Sequence, residues 1–174
     1  MKIMGIDASL TGTGVVVLGG ELQEDLIYCQ RYSPKKNGVD RLIEIEEYIA
    51  TLLSSMEPDL VTIEGYSYAS ANQAHQIGEL GGVIRRLLKV AGQKWKEIAP
   101  SQVKKFATGK GNCKKDLVLM QVYKRWGQEF KTSDEADAFV LAKIGASLVN
   151  GYNGEEGLTA YQREVIEKIR KGKV

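Results

Sequence analysis

Apolar positions recur along this chain in two periods. Short continuous or β-branched runs at Lys2 to Ile6, Val15 to Leu18 and Leu60 to Ile63 predict strands. Ala8 to Gly14 carries turn residues between the first two, and Gly19-Gly20 turns the chain again into Leu22 to Tyr32, which completes an antiparallel meander. After the loop Ser33 to Gly38, with Asp40 as the predicted N-cap, Leu42, Ile45, Ile49 and Leu52 repeat every three or four residues and predict an amphipathic helix. Pro58-Asp59 closes it. The run Leu60 to Ile63 is apolar apart from Thr62 and reads as a central strand. A second helix follows from about Ala71 to Val90, then a fifth strand at Trp95 to Ala99 and a short helix from Pro100 to about Phe106. A Gly-rich basic loop, Ala107 to Cys113, leads into helices at Lys114 to Trp126, from a Ser133 cap to about Leu148, and from a Thr159 cap to Lys171 or Lys173. Three strands, helix, strand, helix, strand and further helices make an α/β fold: a mixed five-stranded sheet flanked by helices.

Composition narrows the class. At 174 residues, 43% hydrophobic and 26% charged, the chain suits one core, so residues 1–174 are expected to form a single domain. Its two cysteines, Cys29 and Cys113, exclude a disulfide scaffold and a four-cysteine zinc site and read as reduced thiols. Asp7 and the polar Ser9 to Gly14 stretch interrupt any leader-like run, and no apolar run approaches the ~20 residues that span a bilayer. A cytoplasmic protein with no membrane partner is therefore expected.

Four acids stand where structure alone does not ask for them. Asp7 and Glu64 directly follow strand runs, and Asp134 and Asp137 share one face of a helix at spacing i, i+3. Strand-end carboxylates are presented at the sheet edge where ligands of α/β proteins collect. If all four converge, their mutual repulsion demands cations. All-oxygen donors without His or Cys select Mg²⁺, with Mn²⁺ as a substitute, and two such ions would serve phosphodiester hydrolysis. Plainer explanations exist for two of them: a first-turn acid at Asp134 favoured by the helix dipole, and a turn Asp at Asp7. Glu64, before Gly65, has none comparable, and Asp137 sits among Ala136, Ala138, Phe139, Leu141 and Ala142.

Gly5-Ile6-Asp7 with Thr11-Gly12-Thr13-Gly14, Thr62-Ile63-Glu64, Ala99-Pro100-Ser101-Gln102-Val103-Lys104 and Asp134-Glu135-Ala136-Asp137-Ala138 occur in the order and spacing of RuvC-type Holliday junction resolvases. The chain resembles that family over roughly residues 3 to 148, and more its phage-encoded branch than the bacterial housekeeping enzyme. The resemblance implies a ribonuclease H-like fold, a homodimer, and paired Mg²⁺-dependent nicks across a four-way DNA junction. It also implies that Asp7, Glu64, Asp134 and Asp137 are catalytic metal-binding acids, and that Lys104 and Lys115 lie near the cleaved phosphate. The family commonly has Pro-Gly after the first Asp, where this chain has Ala8-Ser9, and an aromatic wedge where it has Ser67 between Tyr66 and Tyr68.

The net charge is only +2, yet between Arg85 and Arg125 twelve Lys or Arg face two acids, Glu97 and Asp116. A patch of that kind suits a phosphate backbone. Lys104, Lys105, Lys110, Lys114 and Lys115 are the expected DNA contacts, the last three around Gly109 and Gly111; Arg85, Arg86 and Lys89 read as a solvated helix face. Tyr66 and Tyr68 are expected to stack on or wedge between bases, with one of the two packing inward. Gly78, Gly81 and Gly82 admit close packing on the sheet or a dimer contact; Trp95 and Trp126 belong at the core edge and His75 on the surface. The rival readings are a flap or RNA nuclease of the same fold, an actin- or sugar-kinase-like ATPase, for which one domain is too little, and a non-catalytic nucleic-acid-binding module.

Overall fold

The structure, a computed structural model, describes residues 1–20, 25–66, 74–150 and 157–172. In chain order the elements are β1 (Ile3–Asp7), β2 (Thr13–Gly19), β3 (Asp25–Tyr32), α1 (Gly38–Met56), β4 (Leu60–Glu64), α2 (Ala74–Val90), β5 (Trp95–Ile98), α3 (Pro100–Thr108), α4 (Lys115–Trp126), α5 (Ser133–Val149) and α6 (Ala160–Lys171). The strands form one sheet in the order β3-β2-β1-β4-β5. β1, β2 and β3 pair antiparallel, while β4 joins β1 and β5 joins β4 in parallel. This is the mixed five-stranded sheet that the patterning predicts.

The period of two along β1 and β4 divides the core. Met4 and Ile6, with Val61 and Ile63, point to the face covered by α1 and α2, where Ile45, Ile49, Leu80, Ile84 and Leu88 bury the apolar stripes of the two helices. Ile3, with Val16 and Leu18 of β2, points to the opposite face, where α5 lies against the sheet and α3, α4 and α6 pack around it. α5 is buried along most of its length at Ala136, Ala138 to Ala142, Ile144 and Ala146, because it is enclosed between the sheet and those helices.

Several boundaries differ from expectation for local reasons. α1 starts at Gly38 after Asn37, so Asp40 lies in its first turn rather than capping it. The cap of α5 is Thr132, one residue before Ser133: the Glu135 amide donates to Thr132 Oγ1, and the Thr132 amide donates to the Glu135 carboxylate at 2.9 Å. α3 continues past Phe106 to Thr108, where Gly109 adopts φ 81° and its amide closes on the Lys105 carbonyl at 2.8 Å. α2 meets the sheet through Leu80, Ile84 and Leu88, not through glycines: a Cβ on Gly78 or Gly82 would meet nothing within 4 Å, so close packing on the sheet is not their role. Residues 22–24 and 71–73 of the expected third strand and second helix lie outside the described residues. Trp95 and Trp126 flank the two cores, and His75 is exposed, as expected.

Candidate active site

The strand register decides where the first two acids go. β1 and β4 are paired up to Ile6↔Ile63, so Asp7 and Glu64 follow side by side at the carboxyl ends of adjacent parallel strands, both on the α5 face. Asp7 is only 7% exposed, Glu64 partly buried.

Glycine brings the helical pair to them. At Gly5 an added Cβ would lie 2.1 Å from the Ala138 carbonyl oxygen and 2.6 Å from the Ala142 nitrogen, and at Gly14 it would lie 2.1 Å from the Asp134 carbonyl oxygen. The α5 backbone therefore rests directly on β1 and β2, a spacing that no residue with a side chain tolerates. Thr62 fastens the same contact, its hydroxyl donating to the Leu141 carbonyl at 2.9 Å. With the helix seated this way, Asp134 and Asp137 in its first turns come within electrostatic reach of Asp7. The four predicted acids are brought together.

Their protonation shows how crowded they are. Burial, then the charges of Glu64 and Asp137, lifts the Asp7 carboxyl well above the usual carboxylate range. Glu64 is pushed up to about 7 by burial and by Asp137, against the pull of Lys115 and Lys104. Burial raises Asp137 to about 6, with Lys115 and Lys104 opposing. Burial works against the charge on Lys115, but Asp7, Asp137 and Asp134 outweigh it and hold its pKa up.

Asp134 is neutralised differently. Arg31 Nε donates to its Oδ2 at 2.8 Å, and Lys115 Nζ stands 3.5 Å from Oδ1. Among the described residues no three His, Cys, Asp or Glu side chains are grouped to hold a metal ion as they stand. The all-oxygen donor set nonetheless fits a hard divalent cation, whose charge would offset the repulsion that raises Asp7, Glu64 and Asp137.

The remaining expected residues separate. Lys115 opens α4 beside the acids; Lys104, on α3, acts on Glu64 and Asp137 through its charge. Lys105 turns away to pair with Glu164 of α6 at 2.5 Å. Lys110 and Lys114 are exposed on the turn between α3 and α4. Tyr66 is 40% exposed, with the Arg85 guanidinium 4.0 Å from its ring centroid and Gly81 at its edge, so it packs against α2. Arg85 itself is held by Glu97 at 2.6 Å rather than solvated freely. Tyr68 and Ser67 lie outside the described residues. A cavity of about 430 Å³ opens beside Asp7, Glu64, Asp134 and Lys115 and runs under Ala8 to Thr11 toward Ile77 and Leu80. Sequence reasoning missed Arg31, which lies 103 residues from its partner on an edge strand and carries no local signal.

The chain has counterparts among known proteins. The family profile described as crossover junction endodeoxyribonuclease RuvC matches residues 3–144. A crossover junction endodeoxyribonuclease RuvC of Prochlorococcus marinus subsp. pastoris is 30% identical over 148 residues, 82% of this chain and 94% of its own length. Its counterpart in Chlorobium phaeovibrioides is 31% identical over 127 residues, 70% of this chain and 67% of its own length. Thermus thermophilus RuvC in complex with Holliday junction substrate superposes with a TM-score of 0.68 at 26% identity, covering 82% of this chain and 90% of that one. The fold alone is shared with the Fowlpox virus resolvase, at a TM-score of 0.56 and 16% identity over 84% of this chain and 97% of that one. Resting on the profile match and on relatives aligned along most of their length, the conclusion is that the chain belongs to the RuvC family of crossover junction endodeoxyribonucleases, which are metal-dependent nucleases.

Proposed function

We propose that this chain hydrolyses DNA strands at four-way junctions, with Asp7, Glu64, Asp134 and Asp137 as the acids that hold two Mg²⁺ or Mn²⁺ ions. The observation that carries the reading is the buried Asp7 beside Glu64 at adjacent strand ends, with two further acids delivered by α5. Nothing in the fold's stability calls for that cluster, which raises the pKa of three of its members. When bound, the ions supply charge stabilisation at the phosphodiester and a lowered pKa for the attacking water.

The chain's own residues supply the rest. Lys115, charged and 59% exposed at the rim, takes a phosphate oxygen beside the acids in this reading, and Lys104 supports the same strand. Water is the nucleophile in this reading: no Ser, Cys or Tyr in the motifs Gly5 to Gly14, Thr62 to Glu64, Ala99 to Lys104 and Asp134 to Ala138 has a base beside it, and burial and Glu135 push the Cys29 thiol up to about 11. Water oxygen bonds to phosphorus as the phosphorus–sugar oxygen bond breaks, leaving one phosphate and one hydroxyl terminus. One chain carries one such site, so paired cuts across a symmetric junction call for a homodimer. With Tyr66 engaged by Arg85, the wedge role falls to Tyr68, and Ser67 in place of the family's aromatic supports some additional cutting of three-way or flap DNA with weak sequence preference.

The test is product analysis on an end-labelled four-way junction with Mg²⁺. Paired symmetric nicks are expected, with slower cutting of flaps; single cuts at any branch would reduce the protein to a general branched-DNA nuclease, and binding without cutting to a non-catalytic module. Lys115→Ala is expected to slow cutting more than it weakens binding.

A further inference from the structure

Arg31 is built into the site more firmly than a surface arginine. Its Nε donates to Asp134 Oδ2 at 2.8 Å, its Nη2 donates to the Thr11 carbonyl at 3.0 Å, and its Nη1 donates to Ser33 Oγ. The guanidinium lies across Gly12, where a Cβ would fall 2.1 Å from Nη2 and 2.2 Å from Cζ. It thus ties β3, the turn after Asp7 and the first turn of α5 to one another. Asp134's other oxygen is held far more loosely, by the Ser133 hydroxyl and the exposed Lys115 ammonium, each at 3.5 Å.

From this asymmetry we infer that Arg31 is a positioning residue that lets Asp134 serve the metal site through a single oxygen. The inference rests on the reading of the four acids as metal ligands and deepens it. A guanidinium fixed at several points holds Oδ2 in one direction, whereas Lys115 is free to move to a phosphate, leaving only the long Ser133 bond on Oδ1. A one-oxygen carboxylate in a fixed direction suits the small, strictly octahedral Mg²⁺, and a carboxylate free to turn and chelate with both oxygens suits the larger Ca²⁺, which takes six to eight ligands. Arg31 therefore sets the selectivity of the site between the two ions.

The measurement is Mg²⁺ and Ca²⁺ affinity of the DNA-free protein by calorimetric titration, for the parent, Arg31→Ala and Arg31→Lys. The ratio of the two affinities is the readout, because the change in net charge acts on both divalent ions alike and cancels. Arg31→Ala is expected to shift the ratio about tenfold toward Ca²⁺, with Arg31→Lys recovering part of it, since lysine returns the charge but not the fork. Gly12→Ala, which displaces the guanidinium and keeps every charge, is expected to shift it about threefold the same way, and carries the test if Arg31→Ala does not fold. A ratio within twofold of the parent in these variants, or a shift toward Mg²⁺, overturns the role. So does a fivefold or greater loss of junction affinity in EDTA, which would make Arg31 a DNA contact. A parent that binds neither ion would sink the metal reading itself, and this inference with it.

Discussion

The two faces of the sheet are packed by opposite rules. On one, α1 and α2 stand off at side-chain distance, and Ile45, Ile49, Leu80, Ile84 and Leu88 fill the space against Met4, Ile6, Val61 and Ile63. On the other, α5 is drawn onto the strands until its backbone touches Gly5 and Gly14, and the same face carries Asp7 and Glu64. Interdigitated apolar side chains provide stability but leave strand and helix backbones too far apart for short carboxylates on both to meet. Direct seating on glycine gives up side-chain burial at those positions and places four acids together. Both faces carry a buried apolar core, but on the α5 face side-chain burial is given up at Gly5 and Gly14 to build a site.

Catalysis offers the largest effect by which to break that contrast. Asp7→Asn or Glu64→Gln is expected to lower the nicking rate by ~10³-fold or more, several kcal/mol of lost transition-state stabilisation, in a labelled-junction assay. Junction affinity in EDTA should hold or improve, because each change removes a charge that repels phosphate. Near-normal cutting by either variant would detach the site from this face.

Stability separates the faces next. Ile49→Ala, at a fully buried position against the sheet, is expected to cost about 2–5 kcal/mol in denaturant unfolding while the surviving folded fraction cuts at its normal rate. Gly5→Ala is expected to cost ~1–3 kcal/mol, because the new methyl meets helix backbone, and to abolish cutting in the folded fraction as α5 shifts. A Gly5→Ala protein that melts lower but cuts normally would show that helix seating does not set the carboxylate geometry.

The acid cluster should also reveal its cost through pH. Folding raises the carboxyl pKa of Glu64 to about 7 and of Asp137 to about 6, and raises Asp7 as well. The folded chain thus holds protons that the unfolded chain has released, so the contribution of these groups is full below about pH 4 and is lost as pH rises through 6 to 7. In EDTA, raising the pH from 5.5 to 8 should lower the melting temperature, and Asp7→Asn should recover on the order of 2 kcal/mol at pH 8, about 4–8 °C. Equal melting of parent and variant at pH 8 would mean the cluster carries no strain.

The smallest expected effect lies on α2. Gly78→Ala meets open space, so it should gain up to ~1 kcal/mol of helix propensity in thermal melts, the reverse of Gly5→Ala. A loss at Gly78 would indicate a surface covered by a second copy of the chain.

Much of this was legible before any coordinates, because local rules produce it. Period-two runs and three-or-four spacing marked the strands and α1, and an acid after each of two apolar strands marked Asp7 and Glu64. The cap positions were misplaced by one to three residues: Thr132 rather than Ser133 accepts from the Glu135 amide, and α1 starts after Asn37, whose side chain makes no cap bond. What only the tertiary structure decided are relations between distant segments. Gly5 reads as one more small residue in a strand until α5 is seen lying on it; Lys105 and Lys115 look alike until Glu164 claims one and the acids the other. Arg31 is an ordinary edge-strand arginine until the fold brings Asp134 within 2.8 Å of it. Periodicity is a property of neighbouring residues and survives in the sequence; the distance between a strand and a helix more than a hundred residues later is set by packing, which no local pattern encodes.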